Sequence, residues 1–171
     1  MESRGLSAPR RRYSSGYRWC NEFGQQIIEI DWRIQVKNLK LAARFLLGAA
    51  LIYAGISHLT FARTEFQAQV PPWLPFDADF VVLASGLVEI ILGLALCSVS
   101  KRSAVVGWIV AGFFIAIFPG NISQFLTQTD AFGLNSDQAR LTRLFFQPLL
   151  MIWALWSTGA WPKTQNLKTN K

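Results

Sequence analysis

Phe80-Val-Val-Leu-Ala-Ser-Gly-Leu-Val-Glu-Ile-Ile-Leu-Gly-Leu-Ala-Leu-Cys97 decides the fold. At ~1.5 Å per helical residue this run nearly crosses a ~30 Å hydrocarbon core. Its one ionisable group of the interior, Glu89, sits at mid-depth. An ionised side chain there costs roughly 2.5–3.5 kcal/mol on insertion scales, so Glu89 must face protein rather than lipid. Outward from this run, residues 41–62, 103–122 and 144–161 are similarly poor in charge. The whole chain is 51% hydrophobic and 16% charged, against about 25% charge in an average soluble domain. We therefore expect an all-α integral membrane protein: a bundle of four helices running over about Lys40–Thr60, Asp79–Ser98, Ser103–Ile122 and Leu144–Trp161.

The net charge of +7 is an orientation signal. Most Lys and Arg lie in the N-terminal tail, in Lys101-Arg102 and in the C-terminal tail, which four spans place on one side. That is the positive-inside pattern, with both termini cytoplasmic in a membrane such as the bacterial cytoplasmic membrane. The basic excess then speaks for the lipid bilayer, with anionic-lipid contact, and against nucleic acid. The expected organisation is a largely disordered basic tail over 1–38, a membrane domain over 39–161 and a cytoplasmic tail over 162–171. Within the first tail, Ile28, Ile30, Trp32, Ile34 and Val36 alternate with polar residues. Alternation formally reads as a strand, but an interfacial helix fits equally well. Cys20 and Cys97 form no C-x-x-C pair, and a disulfide is not expected on the cytoplasmic side.

The segments joining the spans differ. Val70-Pro71-Pro72-Trp73-Leu74-Pro75-Phe76 carries too many prolines for a helix and too many aromatics for a plain solvated loop. It reads as a rigid lid on the outer face, with Trp73 as its best docking residue. Asn135, three residues before Gln138, is placed to cap the helix that feeds the fourth span.

Steps of four and three along each span pick out one face. They give Arg44, Gly48, Leu51, Gly55 and His58; then Val82, Gly86, Glu89, Gly93 and Leu96. The third and fourth series are Gly107, Ala111, Phe114, Phe118 and Asn121, and Arg143, Gln147, Leu150, Ala154 and Ser157. Small residues coincide with polar ones, which is the mark of close helix contact in lipid. Depth then pairs the charges. Glu89 lies about 15 Å below the outer end of its span and Arg44 about 22 Å, so the long Arg44 side chain is expected to reach Glu89. His58, Asn121, Arg143 and Gln147 are left as a separate polar cluster beneath the lid, with His58 hydrogen-bonded to Asn121 in the simplest arrangement.

Several of these residues together resemble the DoxX family of small four-helix membrane proteins. They are Arg44, Gly55 with His58-Leu59, Phe66, and Val70-Pro71-Pro72-Trp73-Leu74-Pro75. Ser85-Gly86-Leu87-Val88-Glu89-Ile90, Gly93, Arg102, Phe118-Pro119-Gly120-Asn121 and Arg143 with Gln147-Pro148 complete the set. The resemblance covers residues 40–160. Gly120 stands where the family usually has Ala, and the long basic tail lies outside the pattern. The resemblance implies a membrane protein associated in some members with quinone-linked oxidoreductase complexes and in distant ones with receptor assembly.

Three functions fit. The first is a non-catalytic subunit or assembly factor that meets another membrane protein, or a second copy, through helix faces or the lid. The second is a quinone-linked oxidoreductase subunit, with quinone as the one cofactor in view. The third is a small-solute or proton pathway. The single histidine leaves no bis-histidine haem within the chain and no metal-ligand cluster. No P-loop, dinucleotide fingerprint, nucleophile elbow or H-E-x-x-H is present, so an independent enzyme is not expected. Glu89 serves either as half of a structural ion pair or as a proton-relay or ligand group.

Overall fold

The computed structural model describes residues 14–98, 102–130 and 136–161, with side chains from Gly24 onward. Every regular element among them is a helix: α1 Ser14–Leu59, α2 Arg63–Gln67, α3 Ala78–Cys97, α4 Ser103–Leu126 and α5 Asp137–Thr158. By contact the chain divides into Met1–Asn38 and Leu39–Lys171. Residues 1–13, Lys101, Asn135 and the tail from 162 lie outside the description.

In its described residues the first unit is helical from Ser14, where a largely disordered tail over 1–38 was expected. The alternating stretch 25–38 is helix rather than strand, with Ile27, Ile28, Ile30, Trp32 and Ile34 exposed. Among the described residues no strand is present to pair with one here, whereas a helix satisfies its own backbone. Glu29 accepts from Arg33, and Asp31 from Gln35, each one turn later. Such pairs stabilise a helix surface that has no core to rest on.

In the second unit, α1, α3, α4 and α5 share one core of Leu47, Leu51, Leu92, Leu96, Val110, Phe114 and Ala154. Two glycine pairs set how α1 meets α3. A Cβ on Gly55 would lie 2.5 Å from the Gly86 carbonyl, and one on Gly93 would lie 2.6 Å from the Gly48 carbonyl. The backbones therefore touch, antiparallel, at positions seven residues apart on both helices. At the α4–α5 contact Gly107 leaves room for the Thr158 hydroxyl. Ser103 Oγ donates to Thr158 O, and Trp153 Nε1 donates across to Ala43 O on α1. The short α2 is fastened to the start of α3 because Arg63 and Gln67 both donate to Asp79. Asp77 caps α3 by accepting from Asp79 N and Phe80 N. Ser136 caps α5, its side chain accepting from Ala139 N, and Gly159 in the left-handed region (φ 71°) ends it.

Burial is inverted relative to a protein built for water. Arg44, His58, Glu89, Arg140 and Gln147 are buried, while Leu46, Tyr53, Leu87, Ile91, Leu94, Trp108, Ile109 and Ile115 are exposed. Faces this apolar would associate in water; in a bilayer they are matched by lipid. Part of α1 (Gly24–Leu59), α3 and α4 are each long and apolar enough to cross a membrane. The chain is a helical membrane protein.

Candidate functional site

The register of α1 on α3 determines what Glu89 faces. With Gly55 opposite Gly86 and Gly48 opposite Gly93, Glu89 is level with Ile52. His58 is then about 9 Å along the axis from Glu89 in one direction, and Arg44 about 12 Å in the other. Side chains on a helix lean toward its own N-terminus. On antiparallel helices His58 and Glu89 therefore lean toward each other, while Arg44 leans away.

Accordingly Glu89 meets His58, with Nε2 to Oε2 at 3.7 Å and both side chains buried. The expected Arg44–Glu89 pair does not form. Arg44 Nε and Nη2 are buried and make no hydrogen bond. Counting depth alone put His58 out of range because it ignored the lean of the side chains.

His58 is held by two further groups. Its Nδ1 lies 3.1 Å from Ser85 Oγ, and Ser85 Oγ donates to Val82 O at 3.0 Å. With its own hydrogen committed, Ser85 accepts from Nδ1–H, which turns Nε2 toward Glu89. The Phe66 ring packs on the imidazole. At 3.7 Å the His58–Glu89 contact is longer than a hydrogen bond, and Glu89 Oε2 is left buried without a hydrogen-bond partner. A buried acceptor in that state carries a desolvation cost of about 1–3 kcal/mol or more.

These groups line a cavity of about 220 Å³. Its walls are apolar, from Val70, Pro71, Trp73, Leu74, Val81 and Ile117 among others; its polar groups are His58, Gln69, Ser85, Glu89 and Arg143. Arg143 enters from α5, donates Nη2–H to Gln69 Oε1 at 2.8 Å, and its charge acts on Glu89 across the space. Pro119 and Gly120 of α4 close another wall. Gly120 makes a close approach there: a Cβ would come 3.1 Å from the Gln69 carbonyl and press on it by a few tenths of an ångström. A cation, a carboxyl and an imidazole thus converge on one small apolar-walled volume. That composition orients a ligand that has a compact ring or chain and one or two polar atoms.

The expected outer cluster splits in two. His58 and Arg143 belong to the cavity. Asn121 instead donates to Gln147 Oε1 at 2.9 Å, and Gln147 Nε2 donates to Phe114 O at 2.8 Å. These two residues are an α4–α5 clasp two positions after Pro119, which lies inside the continuous α4, and the expected His58–Asn121 bond is replaced by His58–Ser85. In the proline segment Pro71 and Trp73 line the cavity, whereas Pro72 and Pro75 are exposed and do not. Ser85 and Gln69 were not singled out as site residues. Ser85 had a legible signal, a hydroxyl one turn before Glu89 in an apolar span; Gln69 had none.

No curated protein and no solved structure matches the chain. Residues 47–158, which contain the whole of α3, α4 and α5 and every residue lining the cavity, match the family model DUF8561, a domain of unknown function, and the chain belongs to that family.

Proposed function

We propose that this protein is a DoxX-like membrane subunit with four spans that binds a small ring ligand of the quinone class in the cavity beneath the proline segment. The carrying observation is Glu89 Oε2, buried and without a hydrogen-bond partner at the wall of that cavity. A quinone ring suits apolar walls, and its two carbonyl oxygens need donors. Arg143 supplies one and Glu89, when protonated, supplies the other, while Nε2 of His58, whose Nδ1–H is committed to Ser85, is left as an acceptor. Reduction of a quinone takes two electrons and two protons. The Glu89–His58 pair is suited to hand over protons, while electrons come from an oxidoreductase partner.

As the fourth span, α5 is supported by its two faces. Gln147, Ala154 and Ser157 are buried, while Phe145, Phe146, Leu149 and Ile152 are exposed. Its polar residues lower its hydropathy but are turned inward. Val70–Phe76 then acts as a lid at the outer end, and the positive-inside pattern sets both termini in the cytoplasm.

The purified protein tests this by titration with a short-chain ubiquinone, using quenching of tryptophan fluorescence, since Trp73 lines the cavity. We expect saturable quenching that weakens in His58→Ala and Arg143→Gln. Quenching that is unsaturable, or identical in both variants, rejects the assignment.

A second reading has its own observation. Trp73, which lines the cavity, and Phe76, three residues on, are 66% and 61% exposed, a suitable anchor for a non-catalytic subunit or assembly factor that docks on another membrane protein.

A further inference from the structure

Arg44 poses the opposite problem to Glu89. It is only 7% exposed, neither Nε nor Nη2 has a hydrogen-bond partner, and its guanidinium carbon lies 5.8 Å from the Phe45 ring centroid. No carboxylate pairs with it among the described residues. A buried cation without an anion is among the costliest states a membrane helix can hold. Lys40 lies one turn earlier on the same stripe of α1, its ammonium 5.7 Å from the Trp156 ring centroid. Residues at this spacing stand about 5–6 Å apart at Cβ, which lets two cations share one phosphate.

Beside this pair runs a groove between α1 and α5, of about 280 Å³, lined by Ala43, Leu149, Ile152, Trp153 and Trp156. It offers no charged lining group. Trp156 is one of its walls and carries Lys40 over its ring, and the Trp153 indole is fixed through its bond to Ala43 O on the α1 turn that carries Arg44. An apolar groove with one cation over its wall and a second, lacking an anion, one residue along α1 from its Ala43 wall matches the charge and polarity pattern of a phospholipid.

We propose that Lys40 and Arg44 take the phosphate headgroup of an anionic membrane lipid whose acyl chain occupies the α1–α5 groove. Arg44 is the principal contact because guanidinium binds phosphate oxygens through paired N–H donors. Lys40 adds a point charge at the rim. This site is separate from the cavity at His58 and does not depend on what binds there.

The test is native mass spectrometry of the full-length protein in detergent, titrated with phosphatidylglycerol, with phosphatidylcholine, or with inorganic phosphate. We expect phosphatidylglycerol to be retained about tenfold better than phosphatidylcholine. Arg44→Gln should abolish that preference, Arg44→Lys should keep part of it, and Lys40→Gln should reduce it a few-fold. Inorganic phosphate should leave the lipid adduct in place. If Arg44→Gln does not fold, the half-buried Lys40→Gln variant decides alone. Equal retention of both lipids, wild-type retention in Arg44→Gln or in Lys40→Gln, or displacement by inorganic phosphate overturns the proposal; the last would make this a site for soluble anions.

Discussion

Replacing Gly55 with alanine should separate α1 from α3 at the level of the cavity. The added methyl would stand 2.5 Å from the Gly86 carbonyl oxygen, 2.7 Å from Ile90 Cγ1 and 3.1 Å from Ile90 N. Two of these are backbone atoms, which cannot swing aside as a side-chain tip can. Relief requires the helices to part by roughly an ångström, with loss of dispersion contacts on both sides. Overpacking of this kind costs about 1–3 kcal/mol. Removing a glycine from a helix interior returns about 0.5–1 kcal/mol, so the net loss is roughly 1–2 kcal/mol. Gly112→Ala is the internal control, because nothing lies within 4 Å of a Cβ built there. It should gain the propensity term alone. For a chain of this size each kcal/mol moves Tm by about 2–4 °C. Thermal unfolding in one detergent should therefore lower Tm for Gly55→Ala and leave it level or raised for Gly112→Ala. If Gly55→Ala melts at or above Gly112→Ala, the α1–α3 backbone contact is not as described.

Gln147→Leu removes the donor to Phe114 O and the acceptor for Asn121 at once, and should cost about 1–3 kcal/mol for the buried groups left behind; the same melting assay reads it. Trp73→Ala should leave Tm unchanged, since the indole is mostly exposed. It should nonetheless deplete a defined membrane partner from in-membrane crosslinking if the docking reading holds, and an unchanged crosslink pattern removes that reading.

The helices and their buried faces were legible because two independent signals agreed. Apolar length marked the spans, and glycine or alanine at seven-residue intervals marked the same faces as the polar residues. In the structure Arg44, Gly48, Leu51, Gly55 and His58 are all buried, as are Val82, Gly86, Glu89, Gly93 and Leu96. Partner choice across that interface was harder. It turns on axial register and on side-chain lean, and register is set by which glycines touch. The pairing of Gly55 with Gly86 then brings His58, not Arg44, to Glu89. Stretch 25–38 was ambiguous for a different reason. Alternation is informative only where a sheet exists to receive it, and here i,i+4 pairs such as Glu29–Arg33 support a helix instead. Gln69 could not have been found, because its role arises only when the α2–α3 connection folds back to meet Arg143.

The central claim is that the space bounded by His58, Glu89 and Arg143 is a ligand site. Its most direct test is to extract protein from native membranes in mild detergent and identify the bound small molecules by mass spectrometry. Wild-type protein and Glu89→Leu, which removes the donor at similar volume, should be compared at equal amounts. The account predicts a quinone near one per chain in the wild type, depleted in Glu89→Leu while the variant remains folded. Wild-type protein that carries no quinone, or an equal load in Glu89→Leu, would contradict it.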